Sequence, residues 1–295
     1  MLYGDPGMPI AQKEELVRAF ACALEEVEQY IFGPDMGTDE QCMGWVRDEI
    51  GRAVGLPREL GGIPLDEIGA TAWGLLHAIK VACEYQQREL SGARIAIQGF
   101  GAVGKHTARF LAEEGAVIVG VADIRGTVSC ADGLDVAQLL ALKETDGNVV
   151  DYPDDPGVSK GDAESIIDVN CDIWIPAARP DVIREDNVNR LQTAMVVSGA
   201  NIPMTPGAEK ILHERGVLCI PDFIANAGGV ICAAMEYHGA SEAAAMDIIA
   251  EKLTYNVRRV LDIVSSDNCT PRQAAEDMAH RRVRRAMALR RWSLF

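Results

Sequence analysis

The stretch Ile95-Ala96-Ile97-Gln98-Gly99-Phe100-Gly101-Ala102-Val103-Gly104 decides the reading of this chain. Its first three residues are apolar and read as a buried strand. Gly99, Gly101 and Gly104 follow with the spacing G-x-G-x-x-G. An amphipathic helical pattern then begins, with Val103, Ala108, Phe110 and Leu111 at its apolar positions. In a strand–turn–helix context this spacing binds the pyrophosphate of a dinucleotide. The first glycine makes the tight turn, the second lets the backbone approach phosphate, and the third lets helix and strand pack closely. Unpaired amides at the helix N-terminus, with the helix dipole, complete the anion site. Phe100, Ala102 and Val103 belong to the same expected cofactor cradle.

A second apolar run, residues 116–122, ends at Asp123 and Ile124. Asp123 stands at about the expected distance from the first glycine for the carboxylate that bonds a ribose 2′-hydroxyl. The competing reading is a structural α/β turn with an incidental acid. Gly99 to Lys105 also satisfies G-x-x-x-x-G-K, the opening of a nucleoside-triphosphate loop. That loop needs Ser or Thr directly after the lysine to bind magnesium. This chain has His106 there and Thr107 one position late, which counts against the ATPase reading, the third alternative, and Lys105 reads as a solvated first-turn residue.

The 295 residues suffice for one large or two modest domains, and a hydrophobic content of 48% suits an α/β enzyme. A net charge of −16 argues against nucleic acid as a partner. Arg281, Arg282, Arg284, Arg285, Arg290 and Arg291 cluster near the end, but helical spacing spreads them into a solvated or intersubunit surface. Eight scattered cysteines without a C-x-x-C pair, no signal-like start and no membrane-length apolar run point to a cytoplasmic protein with reduced thiols. No His, Cys or Glu grouping has metal-ligand spacing, so no metal is expected.

Residues 9–53 read as helical, broken by a turn at 33–37, with Thr38 as N-cap of the second helix and Gln41 completing a capping box. A helix over 68–89 leads into the glycine turn. Strands are expected near 95–98, 117–122, 172–175, 194–197 and 217–220, alternating with helices or loops. That alternation predicts an α/β fold with a doubly wound, mostly parallel Rossmann sheet. The Asp-, Pro- and Gly-rich segment 146–161 reads as a surface loop. Helices follow from 224 onward, the last starting at Thr270-Pro271.

Several segments converge on one family. Gly33-Pro34-Asp35-Met36-Gly37-Thr38, followed by Met43-Gly44-Trp45, resembles a signature of the Glu/Leu/Phe/Val dehydrogenases. So do Gly61-Gly62 with Ala70-Thr71, and the strand Cys171-Asp172-Ile173-Trp174-Ile175-Pro176-Ala177-Ala178. Ser198-Gly199-Ala200-Asn201 and the run Pro221-Asp222-Phe223-Ile224-Ala225-Asn226-Ala227-Gly228-Gly229-Val230 resemble two more. The motifs keep family order over nearly the whole chain. The resemblance implies oxidative deamination of an L-amino acid to a 2-oxo acid and ammonia, with NAD(P) as hydride acceptor, by a homo-oligomer.

The resemblance also implies roles for single residues. Asp35 becomes the acid/base at the amine. Thr71, Ala177, Ala178, Asn201 and Asn226 approach the cofactor, with Asn226, Gly229 and Ala233 also near the substrate. Turn and capping roles are the alternatives for Asp35, Thr71, Asn201 and Asn226. Ala233 stands where glutamate-specific members carry serine, which leans towards an apolar substrate. Ala102 and Ala72 replace the usual asparagine and glycine, and neither removes the phosphate site. Asp123 favours NAD, since a carboxylate repels a 2′-phosphate, while Arg125 leaves NADP open.

The family also carries catalytic and substrate-binding lysines upstream of the Asp35 motif, and none of the chain's seven lysines has that context. The expected organisation is therefore a remnant of the substrate and assembly domain over 1–60, a NAD(P)-binding Rossmann domain over 61–230, and C-terminal helices over 231–295 that pack back on the first segment. A truncated sequence, a misplaced start and a genuine loss all fit. The alternative function is a non-catalytic dinucleotide-binding member that lost the lysine chemistry.

Overall fold

The computed structural model describes residues 4–5, 7–35 and 37–289. Met36, Arg290 and Arg291, named above, lie outside the described residues. In chain order the helices and strands begin with α1 (Ile10–Ala23), α2 (Glu40–Ile50), α3 (Ala70–Tyr85), β1 (Arg94–Gln98), α4 (Ala102–Glu113), β2 (Val117–Asp123) and β3 (Gly126–Cys130). They continue with α5 (Val136–Glu144), β4 (Val158–Gly161), β5 (Ile173–Pro176), β6 (Met195–Val197), α6 (Pro206–Glu214) and β7 (Leu218–Ile220). The chain closes with α7 (Asp222–Ala225), α8 (Gly228–Tyr237), α9 (Glu242–Asp267) and α10 (Pro271–Ala288). No helix among the described residues is long and apolar enough to cross a membrane.

Two compact units divide the chain. The first holds the described residues up to Ala70 together with Gly229–Ile249, and the second holds Thr71–Gly228 and the described residues from Ala250. The first unit thus extends past Gly61-Gly62, and α9 contributes to both units.

In the first unit, α1 and α2 bury Val17, Ala21, Cys42, Met43 and Val46 around Phe32. Arg18 fastens the two helices by pairing with Asp48 and Glu49, each at 2.7 Å. The expected N-cap at Thr38 is corrected to Asp39, whose side chain accepts from the Cys42 N–H at 2.9 Å. The Thr38 hydroxyl is committed elsewhere: it accepts from the Asp35 N–H at 2.9 Å and lies 3.0 Å from the Asp35 carbonyl, to which it donates. Glu236 of α8 accepts from the N–H groups of Gly55 and Leu56 at 2.7 and 3.2 Å, which ties that helix into the unit.

The second unit is built on a seven-stranded sheet of order β4-β3-β2-β1-β5-β6-β7. β2, β1, β5, β6 and β7 run parallel, as their apolar runs predict. β1 is central, with Ile95, Ala96 and Ile97 wholly buried, because parallel strands are covered on both faces. Trp174 of β5 is buried among Val119, Val196 and Ile166, and its indole N–H donates to the Ile166 carbonyl at 3.2 Å.

Two strands depart from expectation. β3 pairs antiparallel with β2, and β4 antiparallel with β3, so part of the segment expected as a loop over 146–161 forms the sheet edge. β4 is short and mostly exposed, and it carries Lys160, features that blunt a sheet edge and leave little apolar signal in the sequence. The last helix starts as expected, with Thr270 as N-cap in a capping box with Gln273.

Candidate functional site

Strand order reverses around β1: β2 lies on one side, and β5, reached later in the chain, lies on the other. In such sheets the crevice beyond the carboxyl ends of the strands at the reversal is the ligand position. The glycine turn leaves β1 at this point. Gly99 has φ +99°, and a Cβ there would stand 2.5 Å from the Ala178 Cβ, so only glycine lets the turn pass the end of β5. A Cβ on Gly104 would overlap the Gly99 carbonyl oxygen, so α4 and β1 meet through bare backbone. Phe100 is buried beneath the turn.

Gly101 differs from its two partners. Nothing lies within 4 Å of a Cβ built on it, and no side chain caps α4, whose N-cap it is. The amides of Ala102, Val103 and Gly104 open the helix, where no intrahelical acceptor exists for them. Gly101 and Ala102 are exposed and Val103 is half-buried. An uncapped helix start facing open space, next to two glycines fixed by close approach, fits a pyrophosphate. The donors are backbone amides, so Ala102 costs nothing in place of another side chain.

The segments that follow β5, β6 and β7 lie at the same carboxyl ends of the sheet. The Ala177 N–H donates to the Gln98 carbonyl at 2.7 Å, which places Ala177 and Ala178 beside the glycine turn. The N–H groups of Gly199 and Ala200 both donate to the Pro176 carbonyl, at 2.9 and 2.8 Å. Beyond β6 and β7, the Asn226 amide donates to the Asn201 side-chain oxygen at 2.7 Å and lies 3.4 Å from the Gly199 carbonyl oxygen. Thr71 lies one turn before Leu75 on the same face of α3, and a Cβ built on Gly199 would stand 3.0 Å from Leu75 Cδ1. Ile124, just beyond β2, is 91% exposed, an apolar surface open to the flat face of a base.

Asp123 ends β2 with a nearly buried carboxylate, and its oxygens are already engaged. Oδ1 accepts from the Arg125 N–H at 2.9 Å; Oδ2 accepts from the Val149 N–H at 2.9 Å and from Lys143 Nζ at 2.6 Å. Burial by itself would raise its pKa. The Lys143 ammonium and the two amides outweigh that and hold the carboxyl below its ordinary value. The sequence singled out Asp123 but passed over Lys143, whose only signal was its place in the last turn of α5. It also passed over Arg179, an exposed cation directly after Ala178.

Asp35, Gly229 and Ala233 belong to the first unit. Asp35 is exposed and begins the turn that Thr38 closes. Gly229 and Ala233 sit one helical turn apart on α8, both half-buried.

The sheet, its reversal at β1 and the glycine turn define a dinucleotide-binding protein of the Rossmann type. Comparison with known proteins then fixes the family. The model of the Glutamate/Leucine/Phenylalanine/Valine dehydrogenase family matches residues 61–291, and the chain belongs to that family. It is an NAD(P)-dependent amino-acid dehydrogenase by that membership.

An NADP-specific glutamate dehydrogenase of Saccharolobus shibatae is 39% identical over 213 residues, covering 69% of this chain and 49% of that protein. An NAD-specific glutamate dehydrogenase of Staphylococcus aureus is 32% identical over 304 residues, covering 97% of this chain and 72% of that protein. The Leu-bound form of the hetero-hexameric glutamate dehydrogenase from Thermus thermophilus superposes with a TM-score of 0.87 at 26% identity. That match covers 98% of this chain and 72% of the other.

Proposed function

We propose that this chain oxidises an L-amino acid at Cα, releasing ammonia and a 2-oxo acid. The observation that carries this reading is the run, at the carboxyl ends of the parallel strands, of the glycine turn after β1, Ala177-Ala178 after β5 and the Asn201–Asn226 pair after β6 and β7. When bound, NAD(P) supplies the hydride acceptor. The amides of Ala102, Val103 and Gly104 hold its pyrophosphate, and Asp123 holds the adenosine ribose. Ala177, Ala178, Thr71 and the linked amides of Asn201 and Asn226 orient its nicotinamide half. Asp35 takes a proton from the substrate amine. Once hydride has left Cα, water adds to the carbon of the resulting imine. The C–N bond breaks as the C=O bond forms, and Asp35 returns a proton to the departing ammonia. Gly229 and Ala233 present one face of α8 to the substrate.

Two features bear on the side chain accepted. Ala233 offers no hydrogen bond to a side-chain carboxylate, which favours apolar amino acids. The relatives named above carry glutamate in their names. In this reading the protein is a cytoplasmic homo-oligomer with reduced thiols and no nucleic-acid or membrane partner; the eight cysteines are all free.

The test is to mix the chain with NAD or NADP and L-glutamate, L-leucine, L-phenylalanine or L-valine in turn, and to follow reduced nicotinamide by its near-ultraviolet absorbance. Reduction that depends on one of these amino acids is expected. Tight nucleotide binding without reduction by any of them would favour the binding-protein alternative instead.

A further inference from the structure

Asp222 opens α7, just after β7, and its side chain is only 8% exposed. Its Oδ2 accepts from the Ile202 N–H at 2.8 Å, one residue past Asn201. Its main-chain carbonyl accepts from the Asn226 N–H, also at 2.8 Å. One residue therefore holds both segments whose side chains meet at the carboxyl ends of the strands, where the Asn226 amide donates to Asn201 Oδ1 at 2.7 Å. Asn201 is exposed and Asn226 half-buried, so packing alone does little to fix the pair.

The hold on Asn201 needs support. Ile202 sits at φ +49°, a conformation that a β-branched residue keeps only when its surroundings tie it down. The tie is the Asp222 carboxylate, whose other oxygen, Oδ1, accepts from Arg272 Nη2 at 3.1 Å. Arg272 lies in the first turn of α10, beside the buried Pro271, Ala274 and Ala275, and its Nε donates to Glu209 of α6 at 2.6 Å. The guanidinium is thus clamped between two acids and fixes the Asp222 carboxylate in turn. Two amides joined across two loops keep a common orientation only while both backbones stay within about 0.5 Å of place. Asp222 supplies that constraint from a buried position, through its side chain on one loop and its main chain on the other.

We propose that Asp222, fixed by Arg272, is a positioning residue for the nicotinamide half of the cofactor: it sets the Asn201–Asn226 pair and makes the last helix of the chain part of the site's support. The inference rests on the reading of Asn201 and Asn226 as nicotinamide-side groups, and deepens it by naming what orients them. Loss of the Asp222 charge then loosens the nicotinamide end and leaves the glycine turn after β1 as it was.

The experiment is calorimetric titration of the whole chain with NADH and with ADP-ribose, which keeps the pyrophosphate and both riboses but has no nicotinamide. Asp222→Asn should weaken NADH by about tenfold, the equivalent of one hydrogen bond lost at the site, with ADP-ribose unchanged. Arg272→Lys keeps the charge but not the fork, and should give a smaller loss confined to NADH. Glu209→Gln alters the same buried network but neither asparagine segment. It should lower the unfolding midpoint while the ratio of the two dissociation constants stays at the parent value. If Asp222→Asn does not fold, Arg272→Lys decides. An unchanged ratio, an equal loss of both ligands, or the same selective loss in Glu209→Gln overturns the role of Asp222. Asn226→Ala tests the reading beneath it: no selective loss of NADH there removes the pair from the nicotinamide, and the inference with it. A selective loss in Asn226→Ala alone overturns the inference and leaves that reading intact. Failure of the folded parent to bind either ligand would overturn the dinucleotide site itself.

Discussion

Arg272 of α10 donates to Asp222 Oδ1 at 3.1 Å, while the other oxygen of Asp222 accepts from the Ile202 N–H at 2.8 Å. One carboxylate thus joins the last helix to the segment that follows Asn201. Arg272 also donates to Glu209 of α6 at 2.6 Å, and both acids are almost fully buried. Removing the guanidinium leaves two buried acids without their cation. Arg272→Met should therefore cost about 3 kcal/mol, at the low end for broken buried pairs because the arginine is about a quarter exposed. Urea unfolding of the two chains measures the difference. Arg272→Lys should recover only part of it, since lysine lacks the fork that reaches both acids. Equal stability of Arg272→Met and the parent would show that the network contributes nothing.

Ile202 has φ +49°, a left-handed conformation that a β-branched residue adopts at a cost. Its N–H is held by Asp222, and its carbonyl accepts from the Asp181 N–H at 2.9 Å. These two bonds keep the strained residue directly beside Asn201. At 62% exposure its side chain contributes little burial. Ile202→Asn should then raise stability by about 1 kcal/mol, because asparagine tolerates this conformation. A lower unfolding midpoint for the variant would show that the isoleucine side chain matters more than its backbone.

Gly101 and Gly104 are three residues apart but should respond to substitution in opposite ways. Gly104→Val forces atoms into the Gly99 carbonyl and should abolish soluble, folded protein. Gly101→Val enters open space, so the melting temperature should change little, yet nucleotide binding should be lost because the side chain fills the phosphate cradle. Persistent NAD binding by Gly101→Val would remove the pyrophosphate from this turn.

His77 supplies a dependence on pH. Its Nε2 is buried without a hydrogen-bond partner, and its ring packs edge-on against Trp73 at 4.8 Å. Burial, then the charge of Lys80, pushes its pKa below the ordinary histidine value. A depressed pKa in the folded state means that the unfolded chain binds the proton first. The contribution of His77 is complete above the unfolded value near about 6.5 and is lost as pH falls towards and through the folded value. The melting temperature should fall more between neutral and mildly acidic pH in the parent than in His77→Leu. Parallel curves for the two chains would exclude His77 as the source.

Short windows of sequence were enough for the parallel strands, the glycine turn and the Thr270 cap. Each rests on local physics: apolar runs for strands covered on both faces, steric freedom at Gly99, and a hydroxyl within reach of the Gln273 amide. The order of the motifs was likewise enough for the family. Distant partners settled the rest. Thr38 looks as good an N-cap as Asp39 until its hydroxyl turns back to Asp35. β4 has almost no apolar signal and exists because β3 offers it a ladder. Asp123 reads alike whether or not a cation stands beside it, and the lysine that changes its chemistry lies twenty residues away. Arg272 and Asp222 are fifty residues apart, and nothing near either names the other. Backbone conformation and apolar periodicity are written residue by residue, whereas charge pairing depends on which side chains the sheet and its helices bring within a few ångströms.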